Sequence, residues 1–391
     1  MAGKKSSLLI MQPEIKRENK IKVVMTIANS SYTPYFSYFA RQAYQENNIE
    51  FTFVFLHFEE PKIIHELKNY NAVSYWYHFD YRKEKKIQYL KLVWKMYRLF
   101  KKIKPDVVHT HLFDDSLPGL MAAKWAGVKK RIITKQDTMF HYLFAKKGMK
   151  YDIKNNNNAT HIVPCSEESR EFIIEHEKAD TSKIKVIHHG VDETEYTSAT
   201  KEEIKYIRDK FNPHNKIMIG TVSRLVASKG YDYIIPAMAL LAKKRNDLLF
   251  VAAGAGPHEQ RLKKLVEDHG ISSSFIFAGH IDKKFIPAFY QSLSIYVHAS
   301  IYEPFGFVIP EAIFNGVPVI TTPTGASRDA LKHMESACFV PVKNTEALAE
   351  AIDFMAGRDN SAMAEEARKI ARKMYTLQQM WAGYRSLYLD E

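Results

Sequence analysis

Short apolar runs, each of buried-strand length, alternate with helix-periodic segments along this chain, and the series runs twice. In the first series residues 21–27, 51–56, 106–111, 131–134, 159–164 and 184–187 read as strands, with helical spacing between them, as over 83–103. The second comprises 216–222, 248–253, 275–278, 294–298 and 317–321. Strands that alternate with helices build a parallel, doubly wound α/β sheet, because parallel neighbours need a crossover and the helix supplies it. Two series predict two such sheets, and 391 residues are too many for one core. The expected division is a flexible basic tail over 1–20, a first domain over 21–190 and a second over 191–370. An aromatic-rich helix over 371–391 then packs back on the first domain. The run 155–158 (four asparagines) reads as a short polar loop.

Charge is unevenly placed. The formal net charge is +12, and residues 1–190 carry all of it, with 32 Lys and Arg against 20 Asp and Glu; the remainder carries 24 of each. A basic face attracts anionic lipid headgroups, anionic substrates or nucleic acid. The segment 82–104 holds ten Lys/Arg and one Glu, together with Trp94, Tyr97, Leu99 and Phe100. Such a helix either lies on an anionic membrane surface or covers the sheet with its lysines as the wet face. No aromatic-interleaved single-strand motif accompanies the charge, so nucleic acid is not an expected partner. The two cysteines, Cys165 and Cys338, lie far apart and outside any metal-ligand spacing, which points to a reducing, cytoplasmic setting, with the inner face of the cytoplasmic membrane as the peripheral variant. No apolar run reaches the roughly 18 residues of a membrane span. The run 8–11 after Lys4 and Lys5 is too short for a signal-peptide core.

The chemistry concentrates in residues 301–311. Glu303 and Glu311 are separated by seven residues; the first falls in a loop after a strand and the second on the following helix. Between them the Phe305-Gly306-Phe307 backbone is free to present N–H groups. One carboxylate can take a diol and the other a second pair of hydroxyls, which suits a ligand with two sugar rings, such as a nucleotide sugar. Ligands of doubly wound sheets bind at the carboxyl ends of the strands, and more polar groups stand there. Ser223, Arg224 and Lys229 follow one strand; the cations suit a diphosphate, and a solvated loop is the bland alternative. Gly254 and Gly256 follow the next strand, where they either admit a ligand to the backbone or make a turn. His280 follows another and reads as a base-contacting position, and 324–327 as a phosphate cradle.

In this order Arg224, Lys229, Gly254-x-Gly256 and the Glu303–Glu311 pair resemble the retaining glycosyltransferases of GT-B fold, family 4 (glycosyl transferases group 1). The resemblance runs over most of the chain from Ile21 and is densest over Ile217–Asp329. It implies two Rossmann-like domains facing a cleft. It also implies that Arg224 and Lys229 bind the donor diphosphate, that Glu311 binds the ribose hydroxyls, and that Glu303 faces the transferred sugar beside the N–H groups of Phe305, Gly306 and Phe307. Glycosyl transfer builds negative charge on the leaving diphosphate and oxocarbenium character on the sugar, so cationic side chains stand in for a metal and no cofactor is implied. His189-Gly-Val-Asp192 resembles the family's interdomain Asn-Gly-Val-Asp with a histidine in place of asparagine.

The first half departs from that pattern. Its first loop reads Ala28-Asn-Ser-Ser-Tyr-Thr-Pro34 where the family has paired glycines. Gln136-Asp137 stands where the family places a histidine facing the sugar; glutamine cannot act as a base, so Asp137 is the acceptor-side candidate, with His141, His109 and His111 as others. His109 is also the stronger candidate for a satisfied core histidine, and Asp114-Asp115 reads as a turn or acceptor-side feature. The expected function is transfer of a sugar from a UDP- or GDP-linked donor to a saccharide acceptor, a lipid-linked or cell-surface polysaccharide precursor. A GT-B-fold epimerase, a transferase with a soluble acceptor and a basic nucleic-acid-binding protein are the alternatives.

Overall fold

The computed structural model describes residues 20–30, 33–136, 139–196 and 199–391; the predicted basic tail, apart from Lys20, and Asp137 lie outside these. The first sheet comprises β1 (Ile21–Ala28), β2 (Ile49–His57), β3 (Val73–His78), β4 (Val107–Thr110), β5 (Lys130–Lys135) and β6 (His161–Pro164), in the order β3-β2-β1-β4-β5-β6. The second comprises β7 (Ile217–Val222), β8 (Leu248–Ala253), β9 (Phe275–Gly279), β10 (Ile295–His298), β11 (Val319–Thr321) and β12 (Cys338–Phe339), in the order β12-β11-β10-β7-β8-β9. All pairings between these strands are parallel. In both sheets the order reverses beside the first strand, between β1 and β4 and between β7 and β10. Reversal leaves a crevice at the carboxyl ends, because successive crossover helices go to opposite faces.

The central strands are largely apolar because both faces are covered. In β2, Phe51, Phe53 and Phe55 face one cluster while Val54 and Leu56 face the other, as strand alternation requires. The first cluster is completed from the far end of the chain: Trp381, Tyr384, Leu387 and Tyr388 of the helix Leu377–Leu389 pack on this face, with the Trp381 ring 5.2 Å from that of Phe39. The opposite face is covered by the helices Lys85–Ile103 and Phe113–Ala126, through Leu92, Val93, Met96 and Phe100 of the former.

Several local expectations are corrected. Residues 184–187 form no strand: a single bridge joins Ile184 to Ile162, since the chain must leave the sheet to reach the second one. Strand β3 escaped notice because it is a half-exposed edge of mixed aromatic and polar residues, and β12 because it has two residues. The closing helix is two, Ser361–Met374 and Leu377–Leu389, broken where Tyr375 is buried and donates its hydroxyl to the Ala326 carbonyl (2.5 Å). The asparagine run is the last turn of the helix Met149–Asn158 rather than a loop, held by Asn156 donating to Glu177 (2.9 Å).

The chain passes between the sheets at Gly190–Val191 and returns at Tyr375–Leu377, and the passages are hydrogen-bonded to each other. Val191 N–H donates to the Tyr375 carbonyl (2.8 Å) and Leu377 N–H to the Val191 carbonyl (3.3 Å). A β-carbon on Gly190 would lie 2.5 Å from the Thr376 carbonyl oxygen and 2.6 Å from Leu377 Cα, both backbone and unable to yield. Gly190→Ala is therefore expected to destabilise the protein by about 1–3 kcal/mol, read as a lowered urea midpoint. An unchanged midpoint would show that the passages separate freely.

Candidate active site

The loops after β7 and β10 meet at the second sheet's reversal point. Lys229 ends a short 3-10 turn, Ala227–Lys229, and Gly230 follows with φ +73°. A β-carbon there would stand 1.9 Å from the Ala299 carbonyl oxygen, so only glycine lets this turn press against the exit of β10. The contact brings the Lys229 ammonium onto the Glu303 carboxylate, each side chain 13% exposed. His298, the last residue of β10, puts Nε2 3.6 Å from Glu303 Oε2. That nitrogen has no hydrogen-bond partner among the described residues, and burial pushes the imidazole down to about 4 despite the facing carboxylate. The sequence reading missed His298; its signal was its place at a strand's carboxyl end, five residues before Glu303.

Glu311 sits on the helix Val308–Phe314, where Tyr196 donates to Oε1 and Tyr290 to Oε2, both at 3.0 Å. Burial raises its carboxyl above the usual range, against the pull of the two phenols. Two donors leave lone pairs unused on a carboxylate, so a diol can still be accepted. Gly306 (φ +82°) turns the chain between the two glutamates, and a β-carbon there would reach Glu303 Cγ at 2.8 Å. Phe305 is buried, while Phe307 is exposed and stacks on His189 at 5.0 Å. The N–H groups of Phe305, Gly306 and Phe307 make no hydrogen bond to the described residues.

Arg224 is exposed on the loop after β7, and Ser223 Oγ lies 2.8 Å from the Tyr231 hydroxyl. Gly254 and Gly256 serve the packing of two loops: a β-carbon on Gly254 would meet the Ser223 carbonyl oxygen at 2.0 Å, and one on Gly256 the Leu225 carbonyl oxygen at 2.5 Å. They hold the Arg224 loop in place. His280 is exposed after β9. The expected phosphate cradle at 324–327 is not open, because Gly325 N–H donates to Glu168 Oε2 (2.7 Å) and Ala326 N–H to the Phe305 carbonyl (2.8 Å).

The glutamate loop also touches the first domain. Ser166 Oγ donates to the Pro304 carbonyl at 2.6 Å, and Glu167 N–H and His188 Nε2 converge on Asp329 Oδ2 at 2.8 and 2.9 Å. Between the domains lies a cavity of about 340 Å³ lined by Tyr35, Arg41, His189, Tyr196, Phe307 and Glu311, among others. A second, polar cavity of about 340 Å³ opens at the carboxyl ends of β1, β4 and β5, where Asn29, His111, Gln136, His141 and Asp152 meet. His141 Nδ1 lies 2.6 Å from Asp152. His109 is a satisfied core residue, bonded to Tyr388 and Thr134 at 2.7 Å each. Asp115 caps the helix Phe113–Ala126 by accepting from the N–H groups of His111 and Leu112, and Asp114 accepts from Asn29 and Lys85, so the pair is occupied structurally.

Residues 35–195 match the family model for Glycosyltransferase Family 4, and residues 202–374 that for Glycosyl transferases group 1. Each half of the chain thus matches a glycosyltransferase family, and the two matches together span most of its length. An uncharacterized glycosyltransferase of Methanocaldococcus jannaschii is 29% identical over 194 residues, 49% of this chain and 50% of that protein. A GDP-mannose-dependent alpha-(1-6)-phosphatidylinositol monomannoside mannosyltransferase of Mycobacterium tuberculosis is 24% identical over 183 residues, 45% and 47% of the two chains. The chain spans about half the length of the curated relatives it matches. Anabaena HepE, solved with UDP and glucose, superposes with a TM-score of 0.78 at 17% identity over 95% of this chain and all of that one, a likeness of fold.

Two consequences concern pH. His111, His189 and His298 are buried neutral, held down to about 3, 4 and 4 by desolvation. The unfolded chain therefore binds protons the folded one refuses, and stability falls as pH drops from about 6.5 toward 4, by on the order of 3 kcal/mol for His298 alone. Urea midpoints across that range measure the loss, and a flat profile would contradict it. Glu311 behaves oppositely: its raised value makes ionisation oppose folding. Glu311→Gln is expected to raise Tm at pH 7, the gain closing as pH falls toward the ordinary 4.5.

Proposed function

We propose that this chain is a retaining glycosyltransferase that moves a sugar from a nucleotide-diphosphate donor to a saccharide acceptor. The observation that carries the reading is the convergence of Lys229 on Glu303 at the sheet's reversal point, with Glu311 on the adjoining helix. In this arrangement Lys229 neutralises Glu303 until a donor arrives. The donor diphosphate then takes the ammonium, with the exposed Arg224 closing on its other side. Glu303 turns to the transferred sugar, whose oxocarbenium character it tolerates, and the unbonded N–H groups of residues 305–307 lie beside it. Glu311 accepts the ribose hydroxyls. Fixed cations at the leaving oxygens supply the electrostatic part of catalysis without a metal. Two similarities support a nucleotide-sugar donor: the Mycobacterium relative is GDP-mannose-dependent, and the Anabaena fold neighbour was solved with UDP.

On the acceptor side, His141 with Asp152 lines the polar cavity of the first domain and stands beside Asp137 as a candidate base. A lipid-bearing acceptor is favoured by the surface of the helix Lys85–Ile103. Ile87, Leu90 and Trp94 are 62%, 69% and 59% exposed, in one stripe among the lysines. Such a face suits the inner surface of an anionic membrane, and no helix among the described residues is long and apolar enough to cross one.

Lys229→Ala is expected to weaken nucleoside-diphosphate binding at least tenfold by calorimetry, and unchanged affinity for both UDP and GDP would exclude the diphosphate role. Glu311→Ala should abolish transfer with the fold retained by circular dichroism; near-normal turnover would remove the donor-site assignment. Charge reversal at Lys95, Arg98 and Lys102 should lower co-sedimentation with phosphatidylserine vesicles, and unaltered sedimentation would make this helix scaffold alone.

A further inference from the structure

A third and larger cavity lies outside the donor cleft. Its volume is about 610 Å³, within the range of small-molecule sites. It runs between the helices Lys85–Ile103 and Phe113–Ala126 and the segment 145–154. Its wall is apolar, built from Leu90, Val93, Phe113, Leu117, Pro118 and Met121. Its rim is cationic: Lys85, Lys86, Lys147, Lys150 and Lys154 line it, with Glu84 as the one acid among its lining residues. Lys85 is engaged by Asp114 and Lys150 lies over the Tyr151 ring at 5.0 Å, while Lys86, Lys147 and Lys154 are exposed.

This cavity adjoins the polar one at the carboxyl ends of β1, β4 and β5. Lys85, Phe113 and His141 line both. One end is therefore apolar, the junction carries positive charge, and the other end offers hydrogen-bonding groups. Leu90 lines the apolar part and also belongs to the exposed Ile87–Leu90–Trp94 stripe, so the groove opens onto the face most suited to a bilayer.

We infer that the groove seats the hydrocarbon chain of an anionic amphiphile, the lipid carrier of the acceptor. Its phosphate lies against the lysine rim and its sugar end enters the polar cavity beside His141. The inference rests on the glycosyltransferase reading and specifies the acceptor class of that same site. Burial of each methylene contributes to binding, and a phosphate at the rim gains from several ammonium groups at once. A free phosphate would use the rim alone, and a bare hydrocarbon the wall alone; only the combined ligand uses both.

The test uses the full chain with tetradecyl phosphate below its micelle concentration, inorganic phosphate, and a neutral tetradecyl glycoside, each titrated by calorimetry. Tetradecyl phosphate is expected to bind saturably, one per chain, at least tenfold more tightly than either comparator. Leu90→Glu, at an exposed position that leaves folding intact, should weaken it at least tenfold. The pair Lys147→Glu and Lys150→Glu should weaken tetradecyl phosphate likewise and leave the neutral glycoside unchanged. Equal affinity for inorganic and tetradecyl phosphate, uptake without saturation at one per chain, or indifference to Leu90→Glu would each overturn the inference. UDP and GDP affinities are read in parallel. Nucleotide binding without tetradecyl phosphate binding sinks the groove alone; tetradecyl phosphate binding with neither nucleotide bound sinks the transferase reading, and with it the carrier's role as acceptor.

Discussion

Everything functional here hangs on two strands of backbone that cross between the domains and hold each other. Val191 and Tyr375–Leu377 exchange main-chain hydrogen bonds, and Gly190 is flat against the return passage because no side chain fits there. Two parallel sheets each place their ligand crevice at the carboxyl edge. The crossing joins those edges across one cleft, and the helix Leu377–Leu389 carries the end of the chain back onto the first sheet, where its aromatic residues complete a core. Loosening the crossing would separate Glu311 and Phe307 from Tyr35 and Arg41 across the cavity.

Electrostatics in the cleft are organised by partial burial. Lys229 and Glu303 form a mostly desolvated pair whose interaction is stronger than it would be in water. Removing one partner would leave the other charge uncompensated, which is costly. In the proposed function a donor diphosphate replaces Glu303 as the anion at Lys229, exchanging one ion pair for another. Glu311 is handled differently: two tyrosine hydroxyls satisfy it, and burial keeps its proton affinity high. His189 and His298 are buried and neutral, held so by desolvation.

The strand–helix alternation and the strands at 217–222, 248–253 and 275–279 were legible because buried parallel strands are continuous apolar runs with glycine or polar residues at their carboxyl ends. Edge strands β3 and β12 were not, since one is half exposed and the other too short for a period. Glu303 on a loop and Glu311 on a helix followed from Pro304, Gly306 and the small-residue run after Glu311. The loop packing of Gly254 and Gly256 was not legible, because only the fold brings the carbonyls of Ser223 and Leu225 to where a β-carbon would stand. The same holds for 324–327, whose N–H groups are claimed by Glu168 from the other domain and by Phe305.

By itself the sequence determined two α/β series, the strand-end placement of Arg224, Lys229, Glu303 and Glu311, and the concentration of positive charge in the first half. Those properties are local or periodic, and a chain expresses them without reference to distant residues. The tertiary structure alone decided which partners meet: Lys229 with Glu303, Tyr196 and Tyr290 with Glu311, His141 with Asp152, and an apolar groove ringed by lysines from two separate segments. Each of these joins residues distant in sequence through packing, and the distances that set their chemistry exist only once both cores have closed.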